Sequence, residues 1–353
     1  MGEFDFIKPM LDQAVLDGTF PSAAAAVGVR ERVLFVCAAG GARDDTLFDL
    51  ASLTKPVGAT MIALRAIEEG ALTLYDPLAR FFDNVPQDKS EITVFQLMTH
   101  TAKLTPTFRL DLELDDPKDA VGAILRRPLE DIPDGTPNYS CMGYILLGKI
   151  LEIIYGAPLD ALARDKVFKP LGLVRTTYNP LETDWGAKAD IAPTEIDQAS
   201  GVAWRGIVHD ENARFLKGVS GNAGIFSDVR DVARYASMLA RGGADYLAPA
   251  TFRKATANYT PGCDTYRGLG FHISGSPSNF IGDLFPTGSF GHTGFTGTSF
   301  AVDPQSGLFA VLLSNRVHPT RENQLSLRFR RVFHNRVYAA YSRALAGGGH
   351  SFI

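Results

Sequence analysis

"FDLASLTKPVGAT", Phe48 to Thr60, sets a serine three residues before a lysine and a proline directly after that lysine. Proline has no N–H and a fixed φ, so a helix tolerates it only in the first turn. The pattern from Ser52 to Glu69 is helical and Gly70 suits its C-terminal cap, so the helix must begin within a turn of Pro56. Ser52 therefore stands at a helix mouth, where backbone N–H groups lack intrahelical partners and the dipole favours negative charge. Lys55, three positions on, shares its face. A serine alcohol is a weak nucleophile until a base takes its proton, and a lysine serves when its surroundings keep it partly neutral. The same two residues also suit an N-cap and a surface cation, so S-x-x-K by itself carries little weight.

Outward from this stretch, α and β patterns mix. Residues 4–17 read as an amphipathic helix with Phe6, Ile7, Met10, Leu11, Ala14 and Val15 on one face. Ala23–Val29 and Val33–Ala39 read as an antiparallel hairpin. From residue 71 to about 204, helix-like stretches (Val94–Thr99, Pro117–Arg127, Met142–Tyr155, Leu159–Val167) alternate with Pro- and Gly-containing loops. A helix is predicted over residues 226–240. "SFAVD", "PQSG" and "LFAVLLSN" then make a hairpin whose second strand is apolar on both faces. The final helix, Thr320 to Ala346, carries Arg328, Arg330, Arg331, Arg336 and Arg343, read as a solvated outer face over a sheet. Strands bunched at both ends, without βα alternation, predict an α+β fold: an antiparallel sheet flanked by helices, with a mainly helical inserted lobe. Residues 1–70 and 205–353 build the sheet lobe, residues 71–204 the insertion, and a cleft between them is the expected ligand site.

Composition narrows the classes. The chain has 353 residues, 45% apolar and 21% charged, ordinary for a globular protein. A net charge of −4 argues against a nucleic-acid partner. No apolar run approaches the ~18 residues of a membrane-spanning helix. "MGEFDFIKPMLDQAV" does not read as a signal peptide, so a cytoplasmic address is expected. Cys37, Cys141 and Cys263 are too few and too far apart for a disulfide framework or a zinc site, and no metal or cofactor is expected. No G-x-S-x-G elbow, P-loop or dinucleotide fingerprint occurs in the right context. His100, His209, His272 and His318 show no metal-ligand spacing. "VHDEN", Val208–Asn212, reads as a structural loop near the cleft.

Two further stretches raise the weight of S-x-x-K. In "DGTPNYSCMGYILLGKILEIIYG", Tyr139 sits in a loop just before an apolar helix. In "GSFGHTGFTGTSFAVDPQSG", His292, Thr293 and Gly294 lie on a strand leading into the final hairpin. Ser52-Leu53-Thr54-Lys55, Tyr139-Ser140-Cys141 and His292-Thr293-Gly294 stand in the order S-x-x-K, Y-x-N, K/H-T-G. In these motifs, and in "TVFQLMTHTAKL", "VFKPLGL" and "GNAGIFS", the chain resembles the serine β-lactamase and penicillin-binding-protein superfamily. It is most like the branch holding class C β-lactamases, D-alanyl-D-alanine carboxypeptidases, D-aminopeptidases and β-lactamase-like esterases.

That resemblance implies roles. Ser52 would be acylated, Lys55 and Tyr139 would share the proton transfers, and the backbone N–H groups of Ser52 and Phe295 would form the oxyanion hole. His292 and Thr293 would contact a substrate carboxylate or carbonyl, and Gly294 would admit the substrate close to the strand edge. His292 in place of Lys would make the site's charge pH-dependent near ~6.5. Cys141 stands where the family has Asn; a thiol hydrogen-bonds weakly, which disfavours an efficient β-lactamase. Cys141 as the nucleophile is the minor alternative. The expectation is an acyl-enzyme hydrolase of small acyl substrates (ester, amide or β-lactam), of esterase or amidase type. A D-amino-acid peptidase or weak β-lactamase is the enzyme alternative, and a catalytically silent binding protein the non-enzyme one.

Overall fold

The computed structural model describes residues 2–347. Its main sheet has seven antiparallel strands, in spatial order Arg32–Ala39, Ala23–Val29, Leu308–Ser314, Ser299–Val302, Phe290–Thr293, His272–Ile273 and Tyr266–Arg267. The alanine-rich strand Ala23–Val29 is buried throughout because both its faces are covered. Ala24 and Ala26 face the larger core, while Ala23, Ala25, Val27 and Val29 face the smaller one. Its partner Leu308–Ser314 divides the same way: Phe309, Val311 and Leu313 point to one side, Leu308, Ala310 and Leu312 to the other. The smaller core is closed by the terminal helices Ile7–Leu16 and Leu325–Ala346, through Ile7, Leu11, Phe333 and Val337. The larger core packs the helices Val229–Ala240 and Cys141–Tyr155. Among the described residues no helix is long and apolar enough to cross a membrane.

Three predicted elements differ in detail. The helix expected from Ser52 is broken: a 3-10 turn, Ala51–Leu53, passes into a widened π-helical stretch, Lys55–Thr60, before the α-helix Met61–Glu68. Pro56 cannot donate, and its carbonyl is held by the Tyr235 hydroxyl at 2.9 Å. The helix expected from residue 226 begins at Val229, because Asp228 caps it by accepting from the Asp231 N–H. Ile225–Ser227 is instead the middle strand of a small sheet with Phe48–Asp49 and Thr177–Tyr178. The last helix starts at Leu325 rather than Thr320, and its Arg330 is not on a solvated face: it is 6% exposed.

Candidate active site

Ser52 follows a strained turn. Ala51 adopts φ 47°, a left-handed conformation that costs an alanine about 1–2 kcal/mol. The turn is held by Asp49, whose buried carboxylate accepts from the Ala51 N–H at 2.8 Å and the His209 N–H at 2.7 Å. Burial pushes Asp49 up to about 6 despite those bonds. From the facing loop, Thr296 Oγ1 donates to Asp49 O at 2.7 Å and Thr298 Oγ1 to Leu50 O at 3.0 Å. The segment before Ser52 and the segment after Thr293 are thus tied together.

Lys55 is fully buried and uses three acceptors: Ser52 Oγ at 3.0 Å, the Asn222 carbonyl at 3.0 Å and Cys141 Sγ at 3.7 Å. An ammonium has three N–H groups, and this geometry gives each one a partner. Burial works against the charge, but the pull of Cys141 and Tyr139 outweighs it and holds Lys55 above the ordinary lysine value. Burial also pushes the Tyr139 phenol and the Cys141 thiol up, against the pull of Lys55. Raised together, all three groups hold their own protons at neutral pH, and Lys55 is an ammonium.

Tyr139 comes from the loop before Cys141–Tyr155. Ser140 caps that helix by accepting from the Gly143 N–H, and its own N–H donates to His100 Nδ1 at 3.1 Å. The Tyr139 ring lies 4.5 Å from that of His100, with Lys55 Nζ 4.9 Å from its centroid. Its hydroxyl is buried and makes no hydrogen bond among the described residues. Cys141, at the first turn of the helix, reaches the same ammonium.

His292 departs from its sequence reading. It is 1% exposed, its Nδ1 donates to Thr293 O at 2.8 Å, and its ring packs behind Tyr139 and against His272. Burial, with Lys55 and Arg267 nearby, holds its pKa well below the usual histidine value, so it stays neutral and brings no charge change near 6.5. Thr293 and Gly294 do line the cleft. Gly294 has a tighter constraint than substrate approach: a Cβ there would sit 2.1 Å from Thr298 Oγ1 and 2.4 Å from Leu50 O. The next residue, Phe295, is half exposed, its ring stacked on His209 at 5.7 Å and under the Arg316 guanidinium at 4.5 Å.

Ser52, Tyr139 and Phe295 stand between two cavities and line both. One, of about 360 Å3, is flanked by Arg267, Arg316 and Arg330. The other, of about 230 Å3, is lined by Cys141, His209, Asp210 and Glu211, so the "VHDEN" loop belongs to the cleft wall. Sequence reasoning missed Asn222 and the three arginines. Asn222 lies in "GNAGIFS" but contributes a backbone carbonyl, which no side-chain pattern signals.

An antiparallel sheet flanked by helices, with a serine, a buried lysine and a tyrosine gathered at a cleft, has the parts of a hydrolase of the β-lactamase and penicillin-binding-protein fold. The chain belongs to the β-lactamase family, whose model, described as Beta-lactamase, matches residues 6–334. A putative D-alanyl-D-alanine carboxypeptidase of Salmonella typhimurium is 31% identical over 308 residues, covering 78% of this chain and 71% of the relative. Among solved structures, EstCE1, a hydrolase with promiscuous acyltransferase activity, superposes with a TM-score of 0.72 at 22% identity, over 95% of this chain and 98% of that one. A D-stereospecific amidohydrolase from Streptomyces sp. gives a TM-score of 0.68 at 22% identity, over 87% and 93%.

Proposed function

We propose that this protein is a serine hydrolase of small acyl substrates, of esterase or amidase type, working through an acyl-enzyme on Ser52. The observation that carries the reading is the fully buried Lys55 ammonium 3.0 Å from Ser52 Oγ. Nothing in a storage or scaffold role repays burying that cation beside an alcohol.

With Lys55 charged at rest, the Lys55–Tyr139 pair must first release one proton. The vacated site takes the Ser52 hydrogen as Oγ bonds to the substrate carbonyl, and passes it to the leaving group as that bond breaks. The same site then takes a proton from the water that attacks the acyl carbon, and returns it to Ser52 Oγ as the acyl bond breaks. The oxyanion of each tetrahedral intermediate would accept from the Ser52 and Phe295 N–H groups. Thr293 would contact the substrate beside them. Cys141 occupies the position at which the family's Asn grips an amide side chain; the weaker thiol favours esters and simple amides over β-lactams. The two-lobe division, residues 1–70 with 205–353 and residues 71–204, is our proposal for how the cleft is assembled.

Fluorophosphonate labelling and p-nitrophenyl acetate turnover test this reading. Wild type should be labelled on Ser52 and turn over; Ser52→Ala should do neither. Equal behaviour of the two proteins would dismiss Ser52 as the nucleophile, and persistent labelling of Cys141 would replace it.

A further inference from the structure

Three arginines converge on the larger cavity beside Ser52. Arg267 comes from the edge strand Tyr266–Arg267, Arg316 from just beyond the strand Leu308–Ser314, and Arg330 from the last helix. They are 4%, 2% and 6% exposed, and the Nε of each is buried without a hydrogen-bond partner. The partners they do have are neutral. Arg267 Nη1 donates to His272 Nε2 at 2.6 Å, Arg316 Nη1 to the carbonyls of Asn323 and Arg321, and Arg330 Nη2 to the Gly294 carbonyl at 3.3 Å. Among the described residues none of the three forms an ion pair with a carboxylate. Their neighbour Arg321 shows the usual solution, tied to both Glu195 and Glu211.

Burying an unpaired cation is costly, and three together add mutual repulsion. Burial lowers Arg267 and Arg330 to about 10, yet all three remain charged at neutral pH. The chain as a whole is negative, at −4, so this positive chamber is local. A guanidinium binds carboxylate or phosphate through a two-pronged fork, and a single monoanion would leave most of this charge unanswered.

We propose that the cavity of about 360 Å3 beside Ser52 is a subsite for a doubly charged anionic group of the substrate, a dicarboxylate or a phosphate monoester. Leu327 and Phe295 supply apolar wall for the stem of such a group, and Gln324 a neutral polar contact. The proposal deepens the acyl-hydrolase reading and rests on it only in calling the occupant part of the substrate.

Calorimetric titration of the Ser52→Ala protein with acetate, succinate and inorganic phosphate, at constant ionic strength and pH 7.5, separates the two claims because it needs no turnover. At least one dianion should bind tenfold or more tightly than acetate. A preference for succinate identifies a dicarboxylate, and one for phosphate a phosphate monoester. Arg316→Gln and Arg330→Gln should each weaken the preferred dianion tenfold or more while leaving acetate nearly unchanged. Equal binding of all three anions, or unaltered dianion affinity in folded arginine variants, overturns the subsite. If those variants do not fold, competition in wild type decides. The preferred dianion should inhibit p-nitrophenyl acetate hydrolysis competitively, and the absence of competition overturns the proposal. Dianion binding in a protein that hydrolyses no ester would refute the hydrolase reading and leave the subsite standing.

Discussion

Replacing Gly294 by alanine puts one methyl group where the two halves of the candidate oxyanion hole meet. The new Cβ would lie 2.4 Å from the Leu50 carbonyl, and ordinary contact begins at 3.4 Å, so the two segments must part by about 1 Å. Swinging Thr298 aside gives no relief, because its hydroxyl is already bonded to the same carbonyl. Phe295 N–H, one residue on, moves with the displaced backbone. A misplacement of about 1 Å costs roughly 10²-fold in rate, and outright loss of a hole donor about 10²–10³-fold. Overpacking adds about 1–3 kcal/mol of destabilisation. The assay is p-nitrophenyl acetate hydrolysis with kcat and KM resolved, alongside thermal unfolding. Gly294→Ala should lower kcat roughly 100-fold with a smaller change in KM. Phe295→Ala, which keeps the N–H, should retain kcat within a few-fold. A Gly294→Ala protein that melts lower but keeps full kcat would remove Phe295 N–H from the reaction.

Other expectations follow from the same geometry. Tyr139→Phe removes a buried hydroxyl that lies beside Lys55 and Ser52 without a well-formed hydrogen bond, so kcat should fall about 10²–10⁴-fold while the urea midpoint holds; a lower midpoint with intact kcat would contradict both halves. Because the resting proton sits on Lys55 and the Tyr139 phenol is raised, kcat/KM should climb with pH beyond 8, and with His292 buried and neutral it should show no inflection near 6.5. Cys141 is held as a thiol, so iodoacetamide should modify it slowly at pH 7 and faster above pH 9; rapid labelling at pH 7 would contradict the assignment. The folded-state pKa values of His100, His272, His292 and His334 are depressed by burial, so their contribution to stability is complete above the unfolded value of 6.5 and is lost as pH falls below it. Each adds at most about 1.4 kcal/mol of loss per pH unit. Asp49 and Asp228, both raised to about 6, act oppositely between 6 and 3.8 and offset part of the histidine slope there, so chemical denaturation should find stability falling on acidification from pH 7 through 5.

Legibility of the sequence followed the range of the interactions. The strands at both ends of the chain could be read because alternation and continuous apolar runs report burial directly, as in "LFAVLLSN". Ser52 and Lys55 could be paired because three residues of helix place them together whatever the rest of the chain does. Pro56 marked a helix start but gave no sign of the widened turn after it, which depends on Tyr235, 179 residues away. The "H-T-G" motif located the strand and misled about its first residue, since the burial of His292 behind Tyr139 is a tertiary fact. The arginines were hidden for the same reason. Arg330 sits among four other arginines of one helix, and nothing in that pattern separates the one that turns inward.

Phe295 has one more consequence. With Ser52 and Tyr139, its ring lies between the arginine-flanked chamber and the one lined by His209, Asp210 and Glu211, braced by His209 on one side and Arg316 on the other. A smaller residue there joins the chambers into one trough running past the serine, while the backbone N–H stays in place. On the proposed reading, the length of molecule the cleft would accommodate is set by a side chain that takes no part in bond breaking. Its tolerance for new substrates can drift by single replacements at this position without disturbing the proton-moving groups.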